Sequence, residues 1–198
     1  MATARSLFVS DHASGNYHCV SRCVRRAWLC GIDPYSSIDY SHRKAWIEQR
    51  LHEVAACFSI GIYGYAVMSN HLHIVVHVDV DAAQRWSNDE ITQRWCRLFP
   101  CRDQDNEHRI QKMLKNASRL ALLRQRLCSL SWLMRCINEP IARAGLRRML
   151  ADFDWITVVG EAANGLAAVA SINALKPELV FLLDEDLAAL YEVPTRAL

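Results

Sequence analysis

Residues 65 to 78 read YAVMSNHLHIVVHV. The β-branched run that follows Ser69-Asn70 has the composition of a strand, and the polar pair before it that of a tight turn. Side chains alternate across a strand, so His71, His73 and His77 project from one face. A strand that valine could fill carries three imidazoles there instead. The preceding GIYGYAVM (61–68) is read as the other arm of a hairpin closed at Ser69-Asn70.

The text on either side completes an α+β pattern. YHCVSRCVRRAWL (17–29) mixes β-branched residues with Arg22, Arg25 and Arg26 and is read as a strand running into a loop. In HRKAWIEQRLHEVAACFSI, apolar residues recur at helical spacing through Ile47, Leu51, Val54 and Phe58, which predicts an amphipathic helix over 41–58. SNDEITQRW (87–95) has the Ser/Asn start and early acids of a helix N-terminus. Residues 107–137 are the most strongly helical stretch. One apolar stripe runs there through Ile110, Met113, Leu114, Ala117, Leu120, Leu127, Leu130 and Met134, with abundant Arg and Lys around it.

Composition bounds the function. The 198 residues are 52% hydrophobic, enough for a sizeable core, and the net charge of +2 leaves any nucleic-acid role to local cationic patches. Eight cysteines without a CxxC pair, after a start (MATARSLFVSDH) that lacks a signal peptide's apolar core, predict reduced thiols in the cytoplasm. Charge interrupts the apolar stretches before a membrane-spanning length, so no bilayer segment is expected. No internal repeat or low-complexity tract appears.

Two imidazoles at i and i+2 on a strand can share one divalent ion, because neutral imidazole is a common ligand and a strand holds the pair stiffly. An isolated His-x-His is otherwise a pair of half-buried polar residues on a solvated sheet face, and such short motifs give many false matches. His77 is read as structural or exposed.

The wider text bears on that choice. YHCVSRCVRRAWLCGIDPYS, HRKAWIEQRL, YAVMSNHLHIVVHVD and SLSWLMRCINEPIAR together resemble the REP-associated tyrosine transposases, a bacterial branch of the HUH single-strand DNA nucleases, over residues 16 to about 143. His71-Leu72-His73 stands at the family's His-hydrophobe-His motif. The resemblance implies an HUH or ferredoxin-like fold, an antiparallel β-sheet flanked by helices. It also implies Mg²⁺ or Mn²⁺ on His71 and His73, hairpin-forming single-stranded DNA as partner, and DNA transposition by tyrosine transesterification. Imidazole ligands by themselves suit Zn²⁺ and other transition metals as well. Arg22, Arg25, Arg26, Arg43 and Lys44, with Trp28, are the candidate DNA contacts; a solvated surface is the alternative for each. A homodimer is not inferable, since relatives dimerise through a region without counterpart here.

The match stops after INEPIAR. The family's nucleophile helix has no counterpart, and no tyrosine lies between Tyr65 and Tyr191, so the catalytic tyrosine is unassigned and Tyr191 is the remaining candidate. Residues 142–182 instead resemble the receiver domain of bacterial response regulators, most clearly in DWITVVGEAANG and KPELVFL. That resemblance implies an αβαβ fragment. Its first strand is missing, Glu139 is what survives near the acidic pair, and Leu183 stands at the phosphoacceptor position with Asp184 one place late. The organisation expected is a truncated transposase-like domain over 1–140, a receiver-like fragment over 141–183 and a short tail over 184–198, whose text loosely resembles the start of a phage antirepressor-type domain. The functions in competition are a metal-dependent transposase with an impaired nucleophile, a noncatalytic DNA-binding repressor of a mobile element, and a receiver-type signalling module.

Overall fold

A computed structural model describes residues 13–22, 28–100, 106–151, 153–162 and 165–180. The chain divides into two compact units, Met1–Arg143 and Ala144–Leu198. It is a mixed α+β structure, with three antiparallel strands and seven helices among the described residues.

The first unit opens with β1 (Gly15–Arg22), crosses through α1 (His42–Ala55), and returns as the hairpin β2 (Ile60–Val67) and β3 (His71–Val78). The sheet order is β1-β3-β2, so the histidine strand is central and both neighbours run antiparallel to it. The expected turn is present: Met68 N–H donates to the carbonyl of His71 at 2.9 Å and closes the hairpin around Ser69-Asn70. Period-two patterning sorts the strand as the sequence predicted. Leu72, Ile74, Val76 and Val78 are buried, while His71, His73 and His77 are half-buried on the opposite face.

Helices cover the apolar face. In α1, Ile47, Leu51 and Val54 recur at i, i+4 and i+7 and are buried in one core with the β3 residues. The short α2 (Val80–Arg85) is capped by Asp79, whose carboxylate accepts from Ala82 N–H at 2.8 Å. Ser87 caps α3 (Asn88–Leu98) in the same way, accepting from Glu90 N–H at 3.1 Å. Each cap satisfies a backbone donor that the first helical turn leaves unpaired.

The stretch expected as one helix over 107–137 is three: α4 (Asn106–Leu114), α5 (Ala117–Leu127) and α6 (Leu130–Ala151). The first break has a local cause. Asn116 takes extended backbone angles and its side chain accepts from Arg119 N–H at 2.9 Å, which starts a new helix rather than continuing the old one. Ala117, in the predicted apolar stripe, is consequently exposed, whereas Met113, Leu120, Leu127, Leu130 and Met134 are buried.

Helix α6 carries Pro140 in its interior. Proline has no N–H, so the carbonyl four residues earlier, that of Cys136, loses its helical donor. Arg50 of α1 supplies a substitute, its Nε donating to that oxygen at 3.2 Å. A proline that would weaken an isolated helix thus ties α6 to α1.

In the second unit, α7 (Gly165–Leu175) stands where the receiver-like text places a helix. The two strands of the expected αβαβ fragment do not form among the described residues: 153–162 and 176–180 have no ladder partner. The reason is topological. A parallel strand is stable only between neighbours, and among the described residues these segments have none. Trp155 and Val159 remain exposed, as expected of strand text without a sheet.

Candidate functional site

The open face of the sheet is assembled from all three strands. In register across it, Arg22 lies opposite His71, Val20 opposite His73, His18 opposite Val75 and Asn16 opposite His77. On the other side Ala66 pairs with His73, Gly64 with Val75 and Gly61 with His77. An irregularity between Ile62 and Gly64 shifts the β2 register by one residue. Tyr63 therefore stays on the histidine face. Tyr65 is in register with Ile74 of the core face and is 39% exposed.

Three imidazoles meet at one end of this face. The rings of His71 and His73 are 4.7 Å apart edge-on, and His18 stacks on His73 with centroids at 5.1 Å. His18 Nε2 and His73 Nδ1 are 2.9 Å apart, so one ring donates a proton and the other accepts it. Asn70 Oδ1 accepts from His71 Nδ1 at 2.6 Å, which fixes that ring's tautomer and leaves Nε2 with its lone pair. Half-burial holds the His73 imidazole below the usual histidine range, with His71, His18 and Arg22 adding to the effect. Neutral imidazole, the form that ligates metals, is accordingly favoured.

The pairing of His71 and His73 places two nitrogen donors together. Among the described residues no three His, Cys, Asp or Glu side chains converge closely enough to hold a metal ion unaided.

The cationic candidates are scattered. Arg22 is exposed beside His71 at the end of β1. Arg43 donates to the carbonyl of Trp28 at 3.0 Å and its guanidinium lies 4.1 Å over the Tyr40 ring, two contacts that hold the loop before α1. Trp28 is half-buried, and Lys44 is exposed on α1. Arg25, Arg26, Leu183, Asp184 and Tyr191 lie outside the described residues. Glu139, read as a remnant of the receiver's acidic pair, is held on α6 between Arg143 at 2.6 Å and Arg135 at 3.7 Å.

Sequence reasoning missed His18, Asn16 and Asn70. The alternation in NYHCVSR puts His18 on the same side of β1 as Arg22, but which side faces the imidazoles of β3 depends on register, which the text does not carry.

Among the described residues Cys30, Cys57 and Cys136 are in no disulfide. Among the described residues no helix is long and apolar enough to cross a membrane.

No family model and no solved structure matches the chain. Over 45 residues it is 42% identical to the transcriptional regulatory protein BtsR of Salmonella typhi and of Salmonella typhimurium. Over the same length it is 44% identical to an uncharacterized response regulatory protein of Vibrio vulnificus. These matches cover 23% of this chain and 19% of each relative. Over that short stretch the chain is similar to bacterial response regulatory proteins, and it spans about a fifth of their length.

Proposed function

We propose that the first unit is a transposase-type module that binds hairpin-forming single-stranded DNA at the open face of the sheet, with His71 and His73 holding a divalent cation. The observation that carries this reading is the placement of both imidazoles on the outward face of the central strand, beside Arg22 and opposite the buried residues of the same strand. The β1-α1-β2-β3 connectivity supports the HUH-like reading of the fold.

The donor set fits a cation that accepts two imidazoles and completes its shell with water and phosphate oxygen. Mn²⁺ suits that mixture better than Mg²⁺, which favours oxygen ligands throughout. When bound, such an ion supplies Lewis-acid polarisation of a phosphate. The chain's own residues do the rest: Asn70 orients His71, half-burial favours the neutral form of His73, and Arg22 offers a phosphate contact.

Strand transfer needs a phenolic oxygen in line with the scissile phosphate. Tyr63 is on the histidine face but sits on a strand of the sheet and stacks on His77. The reading is therefore of DNA binding with little or no covalent nicking. The test is a labelled hairpin oligonucleotide incubated with and without Mn²⁺. Binding that falls steeply with salt, and Mn²⁺ affinity lost in His71→Ala/His73→Ala by calorimetry, are expected. Equal Mn²⁺ affinity in both proteins defeats the metal assignment. A covalent protein-DNA band abolished by Tyr191→Phe restores the full transposase mechanism.

A second reading, a noncatalytic regulator, draws on the 45-residue similarity to a transcriptional regulatory protein. Hairpin binding indifferent to Mn²⁺ favours it. Phosphorylation of the receiver-like part is the third reading. Acetyl phosphate labelling that disappears in Asp184→Asn supports it, and we expect none.

A further inference from the structure

At the end of the open face away from His71, the sheet carries a second ring assembly that the metal reading does not use. Tyr63 is 68% exposed and lies parallel to His77, with ring centroids 5.9 Å apart and planes within 3°. His77 is itself held, its Nδ1 donating to Asn16 Oδ1 at 2.8 Å. The phenol ring is thus backed on one side by an imidazole that a hydrogen bond keeps in place.

Space is left beside it. Gly61 and Gly64 flank Tyr63 on the same strand and bear no side chain. Apart from its chain neighbours Tyr63 and Tyr65, nothing lies within 4 Å of where a Cβ at Gly64 would stand, and a Cβ at Gly61 would meet the Tyr63 ring at 3.8 Å. The ring stands near Gly61 and His77, and beyond Gly64's own chain neighbours no other residue crowds that glycine. An exposed aromatic ring offers a flat face on which another ring can stack. The charge of the surroundings selects what: the outward positions of the three strands carry Arg22 and four histidines and no carboxylate.

We propose that Tyr63, backed by His77 and Asn16, is a stacking seat for an unpaired base of single-stranded DNA, with the base lying over Gly64. A π-face receives any base, and a face without acids accepts the attached phosphates. The inference rests on the DNA-binding reading of this same sheet face and names the side chains that read the unpaired segment.

The experiment uses the full chain and a hairpin oligonucleotide with an unpaired tail containing 2-aminopurine. Tyr63→Leu removes the ring, Gly64→Val fills the space over the strand, and Tyr63→Phe keeps the stacking surface. We expect the first two to weaken tail binding about tenfold each and to relieve 2-aminopurine quenching, with Tyr63→Phe within about twofold of wild type. Gly64 does not adopt positive φ, so valine is compatible with the strand and the melting temperature should stay near wild type. A wild-type protein that binds the hairpin, with Tyr63→Leu and Gly64→Val binding equally well, overturns this inference alone. A wild-type protein that ignores the oligonucleotide overturns the DNA-binding reading and this inference with it.

Discussion

The two faces of β3 are built from one eight-residue strand and have opposite characters. Leu72, Ile74, Val76 and Val78 are at most 3% exposed and belong to a core shared with α1, α3, α5 and α6. His71, His73 and His77 face out and find their partners in Asn70, His18, Asn16 and Tyr63. The inner face holds the fold by burying apolar area. The outer face spends several positions on groups that add little to stability and much to chemistry. Substitutions on the inner face should therefore hurt the fold, and those on the outer face the site alone.

The inner face should break first. Ile74→Ala deletes fully buried methylene groups and leaves a cavity, so chemical denaturation should show a loss of about 2–5 kcal/mol. A loss comparable to a surface substitution would contradict the division.

Cys136 tests the same core through pH. Burial pushes its thiol up to about 11 from 9.0, with Cys57 and Glu139 nearby also raising it. The folded state therefore prefers the protonated thiol. That preference contributes stability that is fully present below pH 9 and is lost as pH rises through about 11, an effect of about 2–3 kcal/mol at full titration. Urea midpoints for wild type should fall more steeply over this window than those of Cys136→Ala; parallel slopes would argue against the shift.

Arg50→Met keeps the side-chain stem but strips the donor from the Cys136 carbonyl that Pro140 leaves unpaired. We expect a cost of about 1–3 kcal/mol. The double variant Arg50→Met/Pro140→Ala should recover part of it, because alanine restores the N–H. Additive losses would break that explanation.

The outer face should be nearly silent. Replacing His71 and His73 together by valine should change stability by no more than about 0.5 kcal/mol while removing Mn²⁺ affinity. A cost approaching that of Ile74→Ala would make the histidines structural and erase the contrast.

The first unit's core was readable because its signals are local. Apolar residues at i, i+4 and i+7 fixed the inner side of α1, and Ser87 three residues before Glu90 marked the start of α3. The 107–137 stretch shows the limit of that method. Its apolar stripe is continuous, yet Asn116 bonds to its own downstream backbone and divides it, a competition that periodicity does not weigh. The receiver-like text failed for the opposite reason. The residues of 153–162 suit a strand, but a strand is completed by its neighbours, and among the described residues none is present.

That β3 has an apolar side and a histidine side follows from its residues alone, since period-two alternation is a property of the chain and holds whatever surrounds it. The hairpin is equally local, closed by a turn that spans two residues. Long-range packing sets the rest: β3 is central, His18 arrives beside His73 from 55 residues away, and Tyr63 stacks on His77 across the bulge. Those contacts depend on ladder register and on which strand fills each edge. Both are settled when the shared core closes over α1 and the later helices, and no local pattern in the text encodes that closure.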